Sequence, residues 1–236
     1  MRLLLTRPEP DAERTAAALR ARGHTVVAAP LLRIEARQDA EIGRGPWAAV
    51  LVTSANAAPA IARHGRFEEL RLLPTFAVGE RSAQALRAAG FADVISADGK
   101  VDDLVRLVAR RIKPGAPLLY LAGADRSGDL AAALQNFVVR TVVVYRAVAA
   151  KALPAEAATA LTSGIDGVLH FSRRTAETYV RATRGAGLLI AALNPVHYCL
   201  STQVAEPLVQ AELADDFLGF ALDHERVARE SHDPRG

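Results

Sequence analysis

The chain repeats one local grammar, in which a short apolar run breaks at small or hydroxyl residues and passes directly into a helical pattern. Val50-Leu51-Val52 meets Thr53-Ser54-Ala55-Asn56, Leu3-Leu4-Leu5 meets Thr6-Arg7-Pro8, and Phe76-Ala77-Val78 meets Gly79-Glu80-Arg81-Ser82. Leu118 to Leu121 meets Ala122-Gly123-Ala124-Asp125-Arg126, Val168-Leu169-His170-Phe171 meets Ser172-Arg173-Arg174-Thr175, and Tyr198-Cys199-Leu200 meets Ser201-Thr202. Strands that alternate with helices need right-handed crossovers and form parallel sheets, so the fold class is α/β. In open α/β sheets such turns lie at the carboxyl ends of the strands, where ligands bind.

The order of these units predicts the domain organisation. Residues 2–6 read as a strand, Pro10 to Arg22 as a helix capped by Gly23, and Thr25 to Ala29 as a second strand. Leu31 to Ala36 is a further extended segment, and the polar stretch Arg37 to Pro46 marks a boundary. Strands and helices then alternate, with helices expected after Val52 to His64, from Glu80 to Ala89 with Gly90 as cap, from Val101 to Arg111 and from Asp129 to Phe137, and Arg140 to Val148 is rich in β-branched residues. Beyond it only Val168 to Phe171 and His197 to Leu200 read as strands, too few to bury a core by themselves. The N-terminal strands have no other home. The expected organisation is therefore a discontinuous lobe of residues 1–30 plus 149–236, an inserted lobe of 37–140, and linker strands 31–36 and 141–148. Each lobe then owns three of the turns, and a cleft lined by helix N-termini is expected between them. The charged stretch Glu225 to Gly236 is expected to fray.

Half of the 236 residues are apolar but only 5% are aromatic, which suits helices packed closely on strands buried on both faces. The 26 arginines against 3 lysines reflect either base composition or the use of planar forks for carboxylate and phosphate. No basic block is interleaved with aromatics, so nucleic acid is not an expected partner. Cys199 is the single cysteine, which excludes an internal disulfide and a cysteine-based metal site. No apolar run approaches the roughly 18–20 residues that span a bilayer, and no secretory pattern is seen. The expected compartment is the cytoplasm, with no membrane partner.

Familiar catalytic and cofactor motifs are missing. Gly79 and Gly123 stand singly, without the spacing of a dinucleotide loop, and Thr53-Ser54 lacks the glycine a flavin phosphate loop needs. The histidines show no i, i+4 pairing, so no metal is expected, and His170 within a strand reads as an interior imidazole. Neither Ser54 nor Ser172 lies in G-x-S-x-G. Two readings stay open for Ser54, Ser82, Ser172 and Thr202: helix caps, each worth about 1 kcal/mol, or ligand contacts. Arg7, Arg81, Arg126, Arg173 and Arg174 sit in the same turns. Singly each reads as a solvated cation; together they suit a polyanion held at helix starts. Tyr145 ends the run Val142-Val143-Val144, either as an edge-strand aromatic or with its hydroxyl turned to the cleft.

The chain resembles the uroporphyrinogen-III synthase family over nearly its whole length. The likeness lies in the order of Leu4-Leu5-Thr6-Arg7-Pro8, Pro30-Leu31-Leu32-Arg33-Ile34, Leu51-Val52-Thr53-Ser54-Ala55-Asn56-Ala57, Val78-Gly79, Gly123, Val143-Val144-Tyr145-Arg146 and Phe171-Ser172. It implies two flavodoxin-like lobes with parallel sheets, the first lobe discontinuous, joined by a two-stranded linker. It also implies a cofactor-independent lyase that closes the linear tetrapyrrole hydroxymethylbilane with loss of water, ring D being inverted through a spiro intermediate. Tyr145 resembles the family's tyrosine proposed as proton donor to the leaving hydroxyl. The substrate contacts then expected are Thr6, Arg7, Thr53, Ser54, Ala55, Asn56, Gly79, Ser82, Gly123, Arg126, Ser172, Arg173, Ser201 and Thr202. A monomer is expected, in transient contact with the preceding enzyme of the pathway.

Some positions depart from the family pattern. Ser201 stands where glycine is usual and Ser82 where threonine is common. The loop after Gly123 reads Ala-Asp-Arg-Ser-Gly-Asp in place of Glu-x-Gly-Arg, and Leu213-Ala214-Asp215-Asp216 lacks the usual Pro-Thr turn. A rival of another class is a two-lobed module that closes on an anionic small molecule without chemistry.

Overall fold

The computed structural model describes residues 1–126 and 128–213; residues 214–216, which depart from the family's Pro-Thr turn, and the tail 225–236 lie outside the described residues. The elements begin with β1 (Arg2–Leu5), α1 (Asp11–Arg20), β2 (Thr25–Ala28), β3 (Leu32–Ala36), β4 (Ala49–Val52), α2 (Ala57–Ile61) and α3 (Phe67–Leu70). They continue with β5 (Thr75–Ala77), α4 (Glu80–Ala89), β6 (Val94–Ser96), α5 (Val101–Arg111), β7 (Pro117–Gly123), α6 (Leu130–Ala133) and β8 (Val138–Ala149). Last come α7 (Ala155–Thr162), β9 (Gly167–His170), α8 (Arg173–Gly185), α9 (Leu189–Leu193), β10 (Val196–Cys199) and a helix α10 over 202–213. The chain divides into two compact units, Met1–Arg33 with Ala149–Gly236, and Ile34–Val148. No helix among the described residues is long and apolar enough to cross a membrane.

The first unit is built on a parallel sheet of order β10-β9-β1-β2. Leu3 to Leu5 pair with Val26 to Ala28 on one side and with Gly167 to Leu169 on the other. Leu3 to Leu5 of β1 form an unbroken apolar run because both faces of the strand are covered. Leu4 packs with Leu161, Val168 and Tyr179 on one face, and Leu5 with Ala12 and Ala16 of α1 on the other. Asp11 and Glu13 in the first turn of α1 and Arg20 in the last complement its dipole. β2 lies alone on one side of β1, which is the flavodoxin arrangement.

The second unit carries the order β3-β8-β7-β4-β5-β6, with β4 to β8 parallel. β4 is central, and all four of its residues are buried. Its strand order differs from the flavodoxin expectation: β5 and β6 lie on one side of β4, β7 and β8 on the other, as in doubly wound dinucleotide-binding sheets. The helices explain the difference. Ile61 of α2 and Leu86 of α4 pack with Val50 and Val52 on one face. Leu104 and Val108 of α5 pack with Leu51, Phe76 and Leu118 on the opposite face, so α5 carries the chain back across β4 to β7. The direction of winding reverses between β4 and β7, and the crevice outside their carboxyl ends is the switch point of this sheet.

Several elements depart from the expected bounds. The helix expected to run to His64 is confined to Ala57–Ile61 and is followed by the short α3. That expected from Asp129 to Phe137 is one turn: Leu134 leaves helical geometry at φ −106° and ψ 47°, and Phe137 N–H donates to Leu134 O at 2.9 Å in place of the Ala133 carbonyl a continuing helix would use. β8 is longer than the linker segment expected: Val138 to Tyr145 pair with β7 as an ordinary strand of the sheet. β3 flanks it, and Arg37 N–H donates to Val144 O at 2.7 Å.

Candidate active site

A cavity of about 540 Å³ opens at the switch point of the second unit. Thr53 and Ser54 enter it from the end of β4, Tyr120 and Gly123 from β7, Arg126 from the following loop and Tyr145 from β8. Its size lies in the range of small-molecule sites. The register of β7 and β8 runs Ala122 opposite Val143 and then Gly123 opposite Tyr145, leaving Val144 as an extra residue. Such a bulge re-aims the neighbouring side chain. Here it brings the Tyr145 ring against Gly123, and a Cβ at Gly123 would lie 2.6 Å from Tyr145 Cζ and 2.7 Å from its hydroxyl oxygen. Ala124 N–H donates to Tyr145 O at 2.9 Å and fixes the strand beyond the bulge.

Burial raises the Tyr145 phenol above its ordinary range; the Ser54 hydroxyl opposes that rise, and Tyr120 and Asp125 add to it. The phenol is therefore protonated at neutral pH and available as a donor. Ser54 Oγ also accepts from Asn56 N–H at 3.3 Å, so it braces the turn that leads into α2 while bordering the cavity. Thr53 Oγ1 and Tyr120 Oη are 2.7 Å apart. Asp125 and Asp129 bring negative charge to the same cavity. The Asp129 carboxylate accepts from Ala131 and Ala132 N–H at 3.0 and 3.2 Å, so the start of α6 is capped from within.

Of the residues expected to contact a ligand, the structure thus gathers Thr53, Ser54, Gly123, Arg126 and Tyr145 around one cavity. Ala55 and Asn56 are half-buried in the turn beside it. Gly79 opens α4 in extended conformation, and a Cβ there would meet Gly99 Cα at 3.2 Å. Ser82 is buried, its N–H donating to Gly79 O at 3.0 Å.

The other expected residues belong to the first unit. Thr6 is fully buried, and its hydroxyl donates to Leu169 O at 2.7 Å, tying β1 to β9. Arg7 donates to Asp11 and Thr15, each at 2.9 Å, with its guanidinium carbon 4.3 Å above the Phe171 ring. Ser172 caps α8 through Thr175 N–H at 3.2 Å. Arg173 is exposed between Glu177 and Glu206. Ser201 and Thr202 are exposed at the start of α10, where Ser201 O accepts from Val204 N–H. Tyr120, Asp125 and Asp129 were not expected in the site. Asp129 carries a readable signal, an acid just before an apolar helical run, whereas Tyr120 sits inside an apolar strand with nothing local to mark it.

A family model described as Uroporphyrinogen-III synthase HemD matches residues 13–217. Among solved structures, the uroporphyrinogen-III synthetase of Helicobacter pylori is similar with a TM-score of 0.54 at 14% identity, over 91% of this chain and 99% of that one. A mutant uroporphyrinogen III synthase of Thermus thermophilus gives a TM-score of 0.48 at 17% identity, over 90% of this chain and 89% of that one. No curated protein matches in sequence. The Helicobacter pylori likeness shows a shared α/β fold with mainly parallel sheets, and the family model covers most of the chain. The chain belongs to the uroporphyrinogen-III synthase family.

Proposed function

We propose that the chain cyclises hydroxymethylbilane to uroporphyrinogen III, and that the cavity of the Ile34–Val148 unit is where the leaving hydroxyl meets its proton donor. Loss of that hydroxyl gives an azafulvene, the substituted α-carbon of ring D attacks it, and the spiro intermediate fragments and recloses with ring D inverted. The chain's own task is to help water leave and to bring the substituted carbon near. Tyr145 donates to the departing oxygen. Its raised pKa makes full proton transfer uphill, since a general acid works best with a pKa near the working pH. Positioning therefore carries most of the acceleration, with the Tyr145 hydroxyl bond adding to it. Arg126, Thr53 and Ser54 offer donors to the substrate's carboxylates, and Gly123 leaves the space the phenol needs.

The observation that carries this reading is the seating of a protonated Tyr145 beside Ser54 in a cavity at a switch point, in a chain of this family. The same reading has two α/β lobes, the first discontinuous, linked through 31–36 and 141–148, the first part of the latter also pairing in the sheet of the second unit. It has the protein act without a cofactor, as a cytoplasmic monomer that takes its unstable substrate from the preceding enzyme. The test is to mix the purified chain with freshly generated hydroxymethylbilane, oxidise, and separate the porphyrin isomers. Isomer III above the spontaneous isomer I is expected; isomer I alone overturns the reading and leaves a binding module.

A further inference from the structure

The consecutive hydroxyl residues that end β4 are each met by a phenol from a different strand. Ser54 stands beside Tyr145 of β8. Thr53 stands beside Tyr120 of β7, their oxygens 2.7 Å apart. Tyr120 is only 4% exposed, and its ring packs in an apolar core with Leu51, Leu104 and Leu130. In such surroundings a phenol carries an oxygen that must find a partner, and phenylalanine would fill the same space without that demand. The oxygen is directed to one place, the Thr53 hydroxyl, and both residues border the cavity.

We propose that Tyr120 is a positioning residue for the cyclisation, holding the Thr53 hydroxyl so that it donates into the cavity. In this arrangement the phenol donates to Thr53 Oγ1, one of the two directions that the 2.7 Å separation allows. The Thr53 proton is then left for a ligand. A carboxylate is acceptor-only and meets a donor already aimed, with no rotor left to immobilise on binding. The same bond disfavours a ligand that presents a donor at this point. The inference rests on the reading that this cavity takes the tetrapyrrole.

Tyr120→Phe keeps the ring and removes one oxygen. With hydroxymethylbilane as substrate and isomer III as the measured product, the variant raises KM by roughly threefold to tenfold, the worth of one neutral hydrogen bond, with kcat changed far less. Thr53→Val raises KM by at least as much, and the double variant is no worse than Thr53→Val alone, because the two residues act as one unit. Additive effects, or a Tyr120→Phe variant that loses thermal stability at unchanged KM, overturn the inference and leave Tyr120 as a core residue. A wild-type chain that forms no isomer III overturns the inference together with the functional reading. Wild-type activity with unchanged KM in Tyr120→Phe overturns the inference alone.

Discussion

The ring of Tyr145 fills the space that a Cβ at Gly123 would need, 2.6 Å from that position at Cζ. Gly123 has no left-handed φ, so its backbone suits any residue and the requirement is one of space. The bulge at Val144 and the bare Cα of Gly123 together set where the phenol points.

Gly123→Ala therefore displaces the ring. We expect a stability cost of about 1–3 kcal/mol, the usual range for overpacking, and a fall in turnover toward that of Tyr145→Phe. Thermal unfolding and isomer III formation measure the two effects. In a Tyr145→Ala background the added methyl meets no ring, and the stability cost of Gly123→Ala should largely vanish; its persistence would place the clash elsewhere.

The pH dependence of turnover follows from the raised Tyr145 pKa. The donor form persists through the ordinary tyrosine range, near pH 10, and is lost only above it. Ser54→Ala removes the hydroxyl that favours the phenolate, so the alkaline limb of that variant moves further up. A limb below pH 10 in the wild type, or one that moves down in Ser54→Ala, would contradict the assignment.

A buried histidine pair makes the first unit acid-sensitive. His170 Nε2 and His197 Nδ1 are 3.1 Å apart; His170 Nδ1 is buried without a hydrogen-bond partner among the described residues, while the backbone carbonyls of Ala192 and Leu193 lie beside His197. Burial, with His197 beside it, lowers the His170 pKa to about 3. The unfolded imidazole titrates near 6.5, so as pH falls the unfolded chain binds the proton first. Stability is full above pH 6.5 and is lost as pH falls toward 3; at pH 5 His170 alone accounts for a loss of about 2 kcal/mol. Urea unfolding at pH 7 and pH 5 should show a smaller difference in His170→Phe than in the wild type. Equal differences would exclude His170 as the source.

Arg7 offers a sharp contrast between structural and substrate roles. Its fork is engaged by Asp11, Thr15 and the Phe171 face, with its side chain 18% exposed. Arg7→Ala is expected to lower stability by about 1–2 kcal/mol with little change in KM, and lysine should not restore it because an ammonium lacks the planar fork. A rise in KM at unchanged Tm would assign Arg7 to the substrate.

Elements with local punctuation were legible in the sequence, and elements shaped by distant partners were not. α4 ends at Gly90, whose φ of +104° is the left-handed cap the residue suggested, and α5 starts at Asp102 and Asp103 and ends at Arg110 and Arg111. α9 lies in the apolar stretch Leu188 to Leu193, which shows no polar face to read as a helix. Strand counting assigned the N-terminal strands to the C-terminal lobe but left open that β1 pairs with both β2 and β9, and the strand order around β4 depended on which face α5 covers. In the site, Tyr145 was visible as the polar end of an apolar run. Tyr120 was not, because its partner Thr53 is 67 residues away and they meet only through the register of β4 with β7.

On the proposed function, Tyr145 serves the departing hydroxyl from the cavity beside Gly123. The most direct measurement of that role is single-turnover formation of isomer III by Tyr145→Phe at saturating hydroxymethylbilane. The rate is expected to fall by at least about tenfold and toward the roughly hundredfold low end of a lost general acid, with residual activity from positioning alone. Turnover equal to wild type would remove Tyr145 from the reaction.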